Sequence, residues 1–157
     1  MKLVDFVCFE ATVPELQQRD RDGVIKELVL SLEKAGRLGN GNSDEIAAEV
    51  IRRENEASTG MGKGVAMPHA KHETIKDVVA AIGQSSLGID FVALDKEPVY
   101  SVILLLSPVD DPDKHLQAME TIFRHLQQEK FRRFLRMCRD SEQIHELLVE
   151  ADEDPSL

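Results

Sequence analysis

The sequence has few cysteines, no dense cluster of basic residues and no long apolar run, and each shortage excludes a class of protein. Its two cysteines, Cys8 and Cys138, lie far apart without a Cys or His at metal-ligand spacing, so neither a disulfide framework nor a zinc site is indicated. No stretch approaches the roughly 18 apolar residues that a membrane span requires. A net charge of -10 disfavours nucleic acid as a partner. We therefore expect a protein of the reducing cytoplasm that neither inserts into a membrane nor binds nucleic acid.

Length and composition indicate one globular unit. The 157 residues are 42% hydrophobic and 31% charged, which is typical of a chain that buries one core. A second full domain has no room at this length. We predict a single domain over residues 1–157, with a short acidic tail at 151–157.

Five segments show the apolar period of about 3.6 residues that is typical of amphipathic helices. They cover residues 22–35, 43–59, 115–126, 131–135 and 140–148. We take Ser43 as the N-cap of the second helix, and Asp140 or Ser141 as that of the last, because Ser and Asp side chains accept hydrogen bonds from the free N–H groups of a first turn. Turn signals from Pro108 to Pro112 precede the third helix.

Two further runs have the composition and length of β-strands. Val78 to Ile82 is rich in β-branched residues and alanine, and Val99 to Leu106 is almost continuously apolar. A strand of the second kind is covered on both faces, so we place it at the centre of the sheet. Because helices and strands alternate, we predict an α/β fold: a three-layer single domain with a central mixed β-sheet flanked by helices.

A glycine-rich segment carries the first sign of chemistry. Residues 58–64 read Ser-Thr-Gly-Met-Gly-Lys-Gly, which predicts a loop, and the short apolar run 65–67 then leads to Pro68 and His69. Consecutive N–H groups in such a loop can surround phosphate oxygens, so we predict a phosphoryl-binding loop formed by Thr59, Gly60, Gly62 and Gly64. The segment lacks the Gly-Lys-Ser/Thr ending of a nucleotide-binding loop. A functional His69 and a His69 that merely caps a strand both remain open.

Helical geometry adds two candidates beside His69. Arg53 falls at the border of the apolar stripe of the second helix, whereas Arg52 falls on the solvated side. His115 lies in the first turn of the third helix on its inward side, where free N–H groups favour an anion. The alternatives are an Arg that covers the rim of the core and a hydrogen-bonded core histidine. We predict no role for His72 and interpret His125 and His145 as surface residues.

Residues 58–70, which end in Met-Pro-His-Ala, resemble the phosphorylation-site signature of IIA proteins in the fructose and mannitol class of the bacterial phosphoenolpyruvate-dependent sugar phosphotransferase system. The resemblance extends to the Arg-Glu pair Arg53 and Glu54 and to the Asp-Lys-His-Leu segment that contains His115 and Leu116. It covers about residues 3–150.

The resemblance implies a phosphoryl carrier with His69 as the phosphoryl acceptor and with Arg53 and His115 beside it. The implied donor is a histidine phosphocarrier protein of the HPr type, and the implied acceptor is a IIB component or a regulatory target protein. Family members serve in sugar transport or as stand-alone regulators of nitrogen and potassium metabolism, and neither role is fixed by the residues. Phosphoryl transfer between histidines requires no cofactor and no metal.

Two other functions stay open at this point. The chain could be a non-catalytic regulatory module that binds proteins without being phosphorylated. It could also be a metal-binding module in which His69, His72 and His115 converge on a divalent ion.

Overall fold

A mixed β-sheet with helices on both faces forms the body of the protein, in a computed structural model that describes residues 1–91 and 95–157. In these residues the chain forms five β-strands and five α-helices. The strands are β1 Gly60–Gly62, β2 Val65–Ala66, β3 His69–His72, β4 Val79–Ile89 and β5 Val99–Pro108. The helices are α1 Arg21–Lys34, α2 Ser43–Glu56, α3 Pro112–Leu126, α4 Glu129–Met137 and α5 Ser141–Glu153.

Strand β5 lies at the centre of the sheet and pairs with three others. Along one edge it pairs antiparallel with β4, and along the other it pairs in parallel first with β2 and then with β3. Regular strand pairing is interrupted between β2 and β3. Even there the carbonyl of Pro68 accepts a hydrogen bond from the N–H of Leu105 in β5. His69 is therefore the first residue after an interruption in an otherwise continuous edge.

Alternate residues of β4 and β5 divide the core into two halves, because successive side chains of a strand point to opposite faces. Val102, Leu104 and Leu106 pack with the apolar faces of α1 and α2. Ile103 and Leu105 pack instead with α3, α4 and α5. The predicted three-layer α/β fold and the predicted central strand are confirmed.

The helices agree with the sequence pattern, with one correction at a cap. The N-cap of α2 is Asn42 rather than Ser43, since the Asn42 side chain accepts hydrogen bonds from the N–H groups of Asp44 and Glu45. Asn and Ser are equally good caps, so the pattern could not choose between neighbours. The last helix is capped by Asp140, one of the two predicted residues.

The strands differ more from the prediction than the helices do. The predicted strand 78–82 continues to Ile89 in β4. The added residues show no strong strand preference in the sequence, and their pairing with β5 stabilises the extended conformation. The predicted loop 58–64 is wrong in part, since Gly60–Gly62 forms β1 and pairs antiparallel with β2. Lys63 and Gly64 connect the two with φ angles of 59° and 80°, the left-handed conformation of a tight hairpin turn.

The two ends of the predicted acidic tail, Ala151 and Leu157, are buried in the core, whereas Glu153, Pro155 and Ser156 are exposed. Helix α5 continues to Glu153, and the Leu157 side chain is 1% exposed within the apolar cluster beneath α3. Among the helices of residues 1–91 and 95–157, none combines the length and the apolar character that a membrane crossing demands.

Candidate active site

Three residues from distant parts of the sequence line one cavity of about 300 Å³. They are Arg53 from the last turn of α2, His69 from the start of β3 and His115 from the first turns of α3. The structure thus brings together the three side chains that the sequence singles out. Their roles remain predictions.

The fold explains why these residues meet. Helix α2 contacts β3, and α3 follows β5 directly and packs on it, so both helices approach the point where the sheet edge resumes at His69. Pro68 fixes the backbone before His69, because its ring restricts φ and it has no N–H to donate. The imidazole of His69 is 9% exposed.

A hydrogen bond to a carbonyl determines which nitrogen of His69 is free. Its Nδ1 lies 2.9 Å from the carbonyl oxygen of Met67. A carbonyl can accept but not donate, so Nδ1 carries the proton and donates it. In the neutral ring, Nε2 therefore holds the lone pair. Nε2 has no protein partner in the described ranges and is open to the cavity that the ring lines.

The surroundings of His69 favour its neutral form. Burial lowers its pKa below the ordinary value, and the positive charges of Arg53 and Lys71 lower the pKa further. The Met67 carbonyl and the Glu54 carboxylate act in the opposite direction without overcoming the burial. A neutral imidazole is the nucleophilic form, so the site is prepared for attack at neutral pH.

His115 is buried against the same cavity with a partner that the sequence did not reveal. Its Nδ1 lies 2.6 Å from the hydroxyl oxygen of Ser107, and its ring centroid is 5.6 Å from that of His69. Burial lowers the pKa of His115 to about 4, and the neighbouring His69 and Lys71 contribute to the shift. His115 is therefore neutral at pH 7 and carries one ring proton. Ser107 lies at the end of an apolar strand, where no motif marks it.

The two adjacent arginines of α2 differ in their contacts. Arg52 also lines the cavity, but it donates to Glu49 and to Glu56 at 2.6 Å each, so two carboxylates already neutralise its guanidinium. Arg53 donates at 3.5 Å to the carbonyl of Ala57 and, within residues 1–91 and 95–157, has no carboxylate within 4.0 Å. Its guanidinium is thus available to an anion in the cavity, which agrees with its predicted place at the border of the apolar stripe.

The glycine-rich segment is not part of the lining of this cavity, and its role as a phosphoryl-binding loop stays a prediction. The cavity-lining residues do not include Thr59, Gly60, Gly62 or Gly64. The N–H of Thr59 donates to the buried Glu54 carboxylate, and the N–H of Gly60 donates to the Ser58 hydroxyl. These two N–H groups already have acceptors, one on α2 and one just before the β1–β2 hairpin. The glycines belong to the hairpin and its turn, and the hydrogen bond from Thr59 to Glu54 connects this segment to the end of α2.

The other three histidines, His145, His125 and His72, differ in their surroundings. His145 is exposed, as predicted, and stacks on Phe9 with ring centroids 3.7 Å apart. His125 was predicted at the surface, and this is wrong: it is 2% exposed, and its Nδ1 contacts the carbonyl oxygen of Leu157. Its position depends on how 151–157 folds back, which helix periodicity does not contain. The Nδ1 of His72 contacts the Thr74 hydroxyl at 2.7 Å.

A metal centre has no geometric support in the part of the chain that the structure covers. There, no group of three or more His, Cys, Asp or Glu side chains is arranged to hold an ion. Among the described residues, the cavity offers the free ring nitrogen of His69, the neutral imidazole of His115 and the guanidinium of Arg53, which has no carboxylate partner there. Lys71 and the ion-paired Arg52 and Glu49 also line it. Together the first three groups can bind a small oxyanion against a nucleophile.

Comparison with known proteins identifies relatives over nearly the whole chain. Residues 9–151 match the sequence family described as phosphoenolpyruvate-dependent sugar phosphotransferase system, EIIA 2. A nitrogen regulatory protein of Bradyrhizobium diazoefficiens is 31% identical over 149 residues, which cover 95% of each chain. The fructose-specific EIIABC component of Bacillus subtilis is 28% identical over 97% of this chain, which spans 24% of that longer protein.

Solved structures show the same fold. The nitrogen regulatory protein IIA-Ntr from Neisseria meningitidis superimposes with a TM-score of 0.83 at 24% identity, covering 92% of this chain and 97% of its own. Enzyme IIA for mannitol from Escherichia coli, in a complex with phosphorylated enzyme IIB, gives a TM-score of 0.75 at 17% identity over 90% of this chain and 95% of its own. At such identities the likeness concerns the architecture alone.

Proposed function

The chain belongs to the EIIA 2 family of the phosphoenolpyruvate-dependent sugar phosphotransferase system, and on that premise we propose that it carries a phosphoryl group on Nε2 of His69. Membership of this family, with relatives named for fructose transport and for nitrogen regulation, gives a role as phosphoryl carrier or regulator. The observation that supports Nε2 as the acceptor atom is the 2.9 Å contact of Nδ1 with the Met67 carbonyl. That contact leaves the lone pair of Nε2 facing the cavity.

The proposed step moves one phosphoryl group between two nitrogens. The lone pair of His69 Nε2 forms a bond to phosphorus as the bond between phosphorus and the donor's nitrogen breaks, and that electron pair returns to the donor. Nδ1 keeps its proton, so the ring becomes positively charged as the new bond forms. The Met67 carbonyl then accepts a hydrogen bond from a cationic donor, which is stronger than one from a neutral donor.

In the proposed site, Arg53 and His115 stabilise the charge on the phosphoryl oxygens; Glu49, Arg52, Ala70 and Lys71 also line the cavity. Arg53 offers a planar fork of N–H donors that matches two phosphoryl oxygens, and His115 offers one further donor. Phosphoryl transfer depends mainly on positioning and on such electrostatic stabilisation, because the transferred group is metaphosphate-like. A site with one nucleophile and two groups that bind the phosphoryl oxygens provides both the positioning and the electrostatic stabilisation.

Donor and acceptor are proposed as proteins that meet the chain in the cytoplasm. The donor is a histidine phosphocarrier protein of the HPr type, and the acceptor is a IIB component or a regulatory target. The complex of the mannitol IIA enzyme with phosphorylated IIB supports the first kind of acceptor. The nitrogen regulatory relative supports the second.

Intact-mass spectrometry tests the acceptor residue. The protein is incubated with phosphoenolpyruvate, enzyme I and an HPr-type phosphocarrier, and it should gain the mass of one phosphoryl group in an acid-labile form. His69→Ala should abolish the gain, whereas His72→Asn, which changes the next imidazole along β3, should retain it. Wild-type protein that gains no phosphoryl group would leave the non-phosphorylated binding module as the better function.

A second assay separates transport from regulation. The phosphorylated protein is mixed with a purified fructose-type IIB domain, and phosphate on each chain is followed with time. Rapid transfer to IIB supports a transport component. Retention of phosphate, with His69→Ala and wild-type protein capturing different targets, supports a regulator.

A further inference from the structure

Ser107 holds the ring of His115 from behind the cavity. It lies near the end of β5, and its side chain shares the sheet face of Leu105, the face that α3 covers. Ser107 is fully buried, with an exposure of 0%, and its hydroxyl oxygen is 2.6 Å from Nδ1 of His115. In the described part of the chain, the side-chain hydrogen bonds of Ser107 go to no other residue.

Hydrogen-bond satisfaction decides which of the two groups donates. If Nδ1 of His115 carried the proton, it would donate to the Ser107 oxygen, and the serine proton would have no acceptor in a fully buried position. If Ser107 donates instead, its proton and the lone pair of Nδ1 are both used. A buried polar group without a partner costs about 1–3 kcal/mol, so the second arrangement is favoured.

We propose that Ser107 is a positioning residue that fixes His115 as the tautomer with its proton on Nε2, so that this ring donates a hydrogen bond to the phosphoryl group on His69. The inference rests on the proposed function and deepens it. A neutral imidazole has one proton, and the nitrogen that Ser107 does not contact is the one left for the cavity.

The two imidazoles of the site are thereby held in opposite tautomers. The Met67 carbonyl keeps the proton of His69 on Nδ1, which turns a lone pair toward phosphorus. The Ser107 hydroxyl keeps the proton of His115 on Nε2, which turns an N–H toward the phosphoryl oxygens. The opposite choice at His115 would place a lone pair against negatively charged oxygens and weaken the bound state.

Nitrogen NMR of the wild-type protein tests the assignment directly. In 15N-labelled protein at pH 7, two-bond correlations to the ring carbon protons show which nitrogen of each histidine carries hydrogen. We expect protonated Nε2 for His115 and protonated Nδ1 for His69, which serves as the internal reference of opposite pattern. Protonated Nδ1 at His115 would overturn the proposal. This readout needs no phosphoryl transfer, so it decides the tautomer even if the proposed function fails.

Variants at position 107 test the effect on transfer. Ser107→Ala should give a mixture of tautomers at His115 and should lower kcat for transfer from the phosphocarrier by about tenfold or more, with KM for the donor unchanged. Ser107→Thr, which keeps the hydroxyl, should restore both. Ser101→Ala removes another buried hydroxyl of β5 that bonds to Gln84, and it should retain the wild-type rate.

The tautomer of His115 and the rate of transfer are measured on the same variants. Ser107→Ala with an unchanged His115 tautomer would overturn the positioning role, and so would a changed tautomer with a wild-type rate. A loss of rate in Ser101→Ala equal to that in Ser107→Ala would attribute the effect to the stability of β5. Absence of phosphate uptake by wild-type protein would count against the carrier function and not against the tautomer.

Discussion

Helix α3 buries a histidine at each end, and the two ends differ in what the second ring nitrogen meets. His115 at the N-terminal end and His125 near the C-terminal end are both at least nine-tenths buried, and both bond a partner through Nδ1. Burial lowers the pKa of each. The ring of His115, however, lines a cavity with Arg53 and His69. The Nε2 of His125 is buried beside Phe131 and has no hydrogen-bond partner in the part of the chain that the structure covers.

Burial and a lowered pKa are common to both rings, so these two features do not separate His115, the predicted site residue, from His125. Both features follow from desolvation, which acts on a structural ring and a functional ring alike. What separates them is access of the second nitrogen to a space where a ligand fits, together with a charge complementary to that ligand. Phosphoryl transfer and stability should therefore respond differently to substitutions at the two ends of α3.

The largest difference is expected when each end loses its imidazole and phosphoryl transfer is measured. His115→Ala should lower the rate of phosphate uptake by His69 by about 10²–10³-fold, because it removes a donor to the transferring oxyanion. His125→Leu should leave the rate unchanged. The rates are read from time courses of intact mass with a phosphorylated HPr-type donor. Equal rates for the two variants would remove the proposed distinction between the ends.

The next largest effect is on stability as the pH falls. The pKa of His115 is about 4 in the folded protein and near 6.5 in the unfolded chain, so the unfolded chain binds more protons between these values. The stability that the neutral ring contributes is complete above pH 6.5 and is lost as the pH falls through about 4, by roughly 3 kcal/mol.

Urea unfolding of wild-type protein and His115→Asn at several pH values between 7 and 4 measures this contribution. The Asn side chain can still bond Ser107 but does not titrate in this range, so the two stabilities should converge or cross as the pH falls. Parallel curves for the two proteins would show that His115 titrates alike in the folded and unfolded states.

A smaller effect on transfer is expected at the α2 side of the cavity. Arg53→Ala should slow phosphate uptake by about 10–100-fold, since a hydrogen bond to a charged group contributes about 1.5–3 kcal/mol. Arg52→Ala is the matched control: Arg52 also lines the cavity, but its guanidinium is paired with Glu49 and Glu56, so the substitution should have a smaller effect than Arg53→Ala. If the two variants were slowed equally, the rate of phosphate uptake would depend on positive charge in general rather than on the planar N–H donors of Arg53.

The smallest effect is expected on the stability of the far end of α3. His125→Leu loses the bond to the Leu157 carbonyl but also removes a buried nitrogen without a partner, and these contributions oppose each other. The free energy of unfolding should change by less than about 1 kcal/mol. Calorimetry or urea unfolding at pH 7 checks this, and a loss of several kcal/mol would show that the Leu157 contact is a major source of stability.

Much of the candidate site could be predicted because its residues carry local signals. Arg53 and His115 lie on faces that helix periodicity defines, and His69 follows a proline at the end of an apolar run. The role of the glycine segment is harder to predict, because glycine permits both an anion-binding loop and a tight hairpin. The N–H groups of Thr59 and Gly60 donate to Glu54 and Ser58, and these contacts are visible in the folded chain alone.

The residues that complete the site had no such signal. Ser107 follows the predicted apolar strand 99–106 and belongs to no motif, and the carbonyl of Met67 is present whatever the side chain is. His125 reads as a surface residue until the segment 151–157 folds back over α3. Each of these depends on partners that are remote in sequence or that belong to the backbone, which a pattern of residue types does not encode.

By itself the sequence determined the helices, the central strand and the alternation that yields a layered α/β fold, and the resemblance of residues 58–70 to a family signature singled out His69, the acceptor that we propose. The structural features follow from local periodicity and from residue chemistry, which act over a few positions of the chain. Tertiary structure decided which cavity the three residues share, which nitrogen of His69 is free, and which of the two buried histidines of α3 lines that cavity. Those outcomes depend on distances and hydrogen bonds between segments that only the packed sheet and helices bring together.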